Sequence, residues 1–93
     1  SISLQTIATV SATGIRGVIF DVKGEESVGG KYSVSTLTSV HNGSASDYAV
    51  HGTVLMGGSP GSLSVTYFGG DILLQVTPAS SNSTVWTTQY RLI

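Results

Sequence analysis

The chain has 93 residues, of which 10% are charged, with a formal net charge of -1 and no cysteine. Four Lys and Arg in all leave no basic patch for a phosphate backbone, which argues against a nucleic-acid partner. The missing thiols exclude disulfides, thiolate metal sites and Cys nucleophiles together.

Turn signals punctuate the chain at short intervals, and no window has the 3.6-residue apolar spacing of a helix. The first strand is expected over residues 2–10, ending at Ala12-Thr13-Gly14, and the second over 15–23, ending in the glycines between Gly24 and Gly30. The third spans 31–41 up to Asn42-Gly43-Ser44, and the fourth 47–56 up to the Gly57–Gly61 turn. The fifth and sixth, 62–68 and 71–77, flank Gly69-Gly70, a pair suited to the positive φ angles of a tight hairpin turn. The seventh covers 84–93 after a Ser/Asn loop. Seven short strands at this spacing predict an all-β fold, an antiparallel sandwich or jelly roll in a single domain.

Alternation assigns core faces to Val18, Phe20 and Val22; to Leu63, Val65 and Tyr67; to Ile72, Leu74 and Val76; and to Trp86, Tyr90 and Leu92. In the third strand Tyr32 and Val34 share a parity that Leu37 breaks, which predicts a β-bulge near Ser35-Thr36. Ile19, Leu55, Leu73 and Ile93 are apolar on the opposite parity. Strands apolar on both faces need a second cover, and these four positions are therefore the expected contacts between subunits. Composition agrees: 15 Ser and 11 Thr stand where a soluble monomer would carry charge. A small domain without disulfides also gains burial from its neighbours.

Catalytic patterns dissolve on inspection. Gly57-Gly58-Ser59-Pro60-Gly61 spells a nucleophile elbow, but that device needs a following helix and here a strand follows. Residues 25–32 approach a phosphate loop, yet Glu25 and Glu26 would repel phosphate and Tyr32 replaces the magnesium-binding hydroxyl, so a solvated connection is expected. His41, Asp47 and His51 lie close in sequence with nothing to orient a triad, and both histidines are expected to face solvent. Two His and five carboxylates show no ligand spacing, so neither catalytic residues nor a metal or other cofactor is expected. Asn42 and Asn82 match a glycosylation pattern that matters only in a eukaryotic secretory pathway. Recognition is instead expected in the loop-rich segment from Asn42 to His51. There Asn42, Ser44, Ser46 and Asp47 offer short polar groups, His51 a ring nitrogen, and Tyr48 a stacking face. Asn82 to Thr84 is the rival segment.

The last third reads Ile72-Leu73-Leu74-Gln75-Val76-Thr77-Pro78, a Ser/Asn loop, then Val85-Trp86-Thr87-Thr88-Gln89-Tyr90-Arg91-Leu92-Ile93. It resembles the C-terminal end of bacteriophage tail-fibre and tailspike proteins, and residues 15–22 are similar to strands found there. The resemblance implies a homotrimeric β-domain on the virion that caps a fibre and contacts a host-surface glycan or protein, without catalytic residues of its own. It also fits the start at Ser1, expected for a C-terminal piece of a longer chain. No apolar run approaches the roughly 20 residues of a membrane span, and membrane insertion is not expected. The alternative is a free-standing, lectin-like carbohydrate-binding module.

Overall fold

Gly69 and Gly70 take φ of 62° and 85°, the left-handed pair that lets Phe68 and Asp71 face each other across a two-residue hairpin. Positive-φ glycines also mark the connections β1–β2, β2–β3, β3–β4 and β4–β5, at Gly14, Gly30, Gly43, Gly57 and Gly58, in the computed structural model, which describes residues 3–93. Ser1 and Ile2, with the expected start of the first strand, lie outside the described residues. The strands are β1 (Gln5–Ser11), β2 (Gly17–Glu26), β3 (Lys31–His41), β4 (Ser46–Met56), β5 (Gly61–Phe68), β6 (Asp71–Pro78) and β7 (Val85–Leu92). The fold is all-β, with every pairing antiparallel.

Two sheets form, ordered β1-β6-β5 and β4-β3-β2-β7. Because β2, β3 and β4 stay together in one sheet, the architecture is a sandwich. The jelly-roll alternative, with its paired Greek keys, does not describe it. The molecule measures 40 × 23 × 16 Å, and the short axis fits two sheet layers about 10 Å apart with their side chains.

Between the layers Val18, Phe20 and Val22 of β2 meet Ile72 and Leu74 of β6, with Leu37 and Val65 closing the cluster. Each such side chain stabilises the fold by about 1.5–3 kcal/mol on burial. Trp86 is half-buried and packs against this core. It lies over Gly24, where a Cβ would sit 2.5 Å from the Trp86 ring and 3.0 Å from Pro60, so only glycine fits beneath the indole.

Several expectations change. The turn after β2 is shorter than the glycines implied: the strand continues to Glu26, whose carboxylate is buried and accepts the Gly29 N–H. The connection itself is solvated, with Ser27, Val28 and Gly29 exposed, and only Glu26 at its base is buried. β3 runs without a break against β2, so the change of parity at Leu37 is not a bulge in β3. Tyr32 and Val34 face out of the sandwich, and the extra residue sits in β4, where the register slips between Thr36 and Leu37. Tyr90 and Leu92, expected in the core, are 51% and 53% exposed, because the end of β7 extends past the cover of the smaller sheet. His41 is buried rather than solvent-facing, since odd positions of β3 point inward.

Candidate recognition and assembly surface

A four-stranded sheet over a three-stranded one leaves a margin without cover, and β4 occupies it. Every residue of β4 after Ser46 is exposed. Its inner-face residues Tyr48, Val50 and Leu55 stand beside Ser39, Leu37 and Ser33 of β3, and the small serines leave a cleft between the sheets lined by Val50, Leu55 and Leu63. The outer face is apolar too: Val54 and Met56, 73% and 70% exposed, pair with Val34 and Tyr32. The strand contains no Lys or Pro, the usual guards of an open edge. Only its bulge at His51-Gly52 interrupts it.

The predicted recognition residues divide into two groups. Asp47, Tyr48 and His51 come together around a shallow depression of about 270 Å³ with Thr38, Val40 and Ala49. Asn42 does not join them. Its Oδ1 accepts the N–H groups of Ser44 and Ala45, both at 2.9 Å, which closes the β3–β4 turn with Gly43 at φ 92°. Ser44 is exposed on that turn, and Ser46 is half-buried opposite His41. Asp47 is exposed, and its Oδ1 accepts the Tyr48 N–H at 2.8 Å. The rival segment, Asn82 to Thr84, borders a separate depression with Gln5, Pro78 and Trp86.

The four expected interface residues do not share a surface. Ile19 lies on the outer face of the larger sheet beside Arg91, while Leu73 lies on the outer face of the smaller sheet beside Thr9 and Thr66. Leu55 faces inward at the open β4 margin. Ile93 ends the opposite margin against Gly17. The outer patch of Tyr32, Val34, Val54 and Met56 was missed by alternation, though the parity break in β3 was the signal for it.

The remaining polar groups act locally. Ser59 Oγ donates to Gly61 O at 2.8 Å and accepts the Gly61 N–H, so the Gly57–Gly61 segment is a self-closed turn leading into β5. His41 Nε2–H donates to Ile15 O at 2.6 Å while Nδ1 accepts the Gly43 N–H at 3.1 Å, and the ring stacks on Tyr67 at 5.2 Å. Among the described residues Glu26 Oε2 and Thr88 Oγ1 are buried without a hydrogen-bond partner. No protein-family model, curated protein or solved structure matches this chain.

Proposed function

We propose that this chain is a non-catalytic assembly and recognition domain, a β-sandwich that completes its burial against copies of itself. The carrying observation is β4, an eleven-residue edge strand bare on both faces, with Val50, Val54, Leu55 and Met56 exposed. A monomer exposing such an edge is at risk of uncontrolled strand pairing, and a specific partner copy removes that risk. The resemblance of residues 72–93 to phage tail-fibre and tailspike ends supports a homotrimer that caps a fibre on the virion. The depression bordered by Asp47, Tyr48 and His51, with Thr38, Val40 and Ala49 of the outer face, is the surface on which a host glycan or protein is read, with His51 and short polar groups suited to sugar hydroxyls.

Light scattering coupled to size exclusion tests the assembly, and glycan-array binding tests the recognition. A trimer mass is expected, together with glycan binding that His51→Ala abolishes and Ser59→Ala leaves intact. A monomer at micromolar concentration removes the assembly reading. A monomer that binds glycans through His51 makes the chain a free-standing lectin-like module.

A further inference from the structure

Among the described residues the larger sheet ends in two unpaired margins, β4 on one side and β7 on the other, and they differ in character. Resting on the assembly reading above, we infer that the β4 edge of one copy pairs antiparallel with the β7 edge of the next, Asp47 opposite Arg91 and Tyr48 opposite Tyr90. The partner is a second copy of this chain, and the contact is head-to-tail.

Backbone directions restrict the register. Gly17 and Ile93 exchange both hydrogen bonds, at 3.1 and 2.8 Å, which commits the odd residues of β7 to β2. Alternation in an antiparallel ladder then turns the peptide groups of Thr88, Tyr90 and Leu92 toward the open edge. At the other margin the Asn42 N–H donates to Ala45 O at 3.1 Å, and the same alternation turns Ser46, Tyr48 and Val50 outward; the Tyr48 N–H, held by Asp47 Oδ1 in the single chain, is released when that carboxylate turns to Arg91 of the next copy. These residues also carry the inner-face side chains, because they align with Ser39 and Leu37 on one side and with Val18, Phe20 and Val22 on the other. A ladder that keeps the inner face continuous must therefore match 46, 48 or 50 with 88, 90 or 92.

Charge selects among these registers. Asp47 is the only Asp, Glu, Lys or Arg in β4, and Arg91 the only one in β7. Both are exposed, and both lie on the outer face of the sheet, in line with Val40 and Ile19. Setting them opposite one another places Tyr48 against Tyr90, Val50 against Thr88 and Ser46 against Leu92. It covers half-exposed apolar side chains at both margins at once. The His51-Gly52 bulge ends the regular stretch of β4 just beyond Val50.

Direction agrees as well. Three successive antiparallel pairings make β4 and β7 run opposite ways, so a neighbour in the same orientation extends the sheet without turning over. A two-fold β4–β4 contact would leave the β7 margin bare, whereas a head-to-tail contact uses both margins in every copy and closes into a ring when the rotation between copies divides a full turn.

The chain has no cysteine of its own, which makes disulfide trapping direct. Within one copy Asp47 and Arg91 are three strand spacings apart, roughly 14 Å, beyond the ~7 Å Cα separation a disulfide can span. The double variant Asp47→Cys with Arg91→Cys, oxidised mildly, should form reducible links between copies up to the full ring, while each single variant stays unlinked at these positions. Arg91→Asp should raise the dissociation constant severalfold, and adding Asp47→Arg should restore it. An oligomer that forms no link in the double variant, or whose charge reversal is not rescued, overturns this pairing and leaves the assembly reading standing. A monomeric wild type overturns both.

Discussion

His41 joins three parts of the chain through one ring. Nε2–H holds the Ile15 carbonyl before β2, Nδ1 holds the Gly43 amide in the β3–β4 turn, and the face stacks on Tyr67 of the other sheet. This hydrogen-bond pattern assigns the ring proton to Nε2, and imidazole ¹⁵N shifts in NMR should report that tautomer. His41→Phe keeps the stacking but leaves the half-buried Ile15 carbonyl and the Gly43 amide without their imidazole partner. The expected cost is about 2 kcal/mol of unfolding free energy, read by urea denaturation. A variant as stable as wild type would show that water satisfies both groups. In the sequence His41 was simply a histidine before an Asn-Gly turn, and nothing local revealed that odd positions of β3 point into the sandwich.

At the scale of the element, β4 stands apart from the other strands. β2 and β6 alternate buried with half-buried or exposed residues, and their core faces were legible from period two because a layer covers them on one side. β4 has apolar residues on both parities and lies at a margin, so alternation could not say which face is inside. Val54 and Met56 stand on its outer face, 73% and 70% exposed. Replacing both by Lys should change unfolding free energy by no more than about 0.5 kcal/mol, as for other exposed positions. The same pair should suppress aggregation of concentrated protein, because Lys guards an open edge. A large loss of stability in a dilute, dissociated sample would mean that these side chains already pack within the single chain.

The whole molecule combines a small, well-filled core with more exposed apolar surface than its 10% of charged residues balances. If association adds burial, folding is linked to concentration by mass action. The urea midpoint of the wild type should therefore rise as protein concentration increases from nanomolar to tens of micromolar, and the Arg91→Asp variant should show a weaker rise. A midpoint independent of concentration across that range would separate stability from assembly.

By itself the sequence determined the all-β class, seven strands nearly at their observed limits, the Gly69-Gly70 hairpin and the faces of β2 and β6. These follow from local rules: two-residue alternation, turn residues with positive φ, and the absence of helical spacing. Asp47, Tyr48 and His51, expected in recognition, border one depression. Only tertiary structure decided which strands lie at the margins, that Tyr32 and Val34 face outward while His41 and Glu26 are buried, and that Ile19 and Leu73 lie on opposite faces. The physical reason is that burial at a sheet margin depends on which strand of the other layer lies across it, an arrangement set by contacts far apart in the chain.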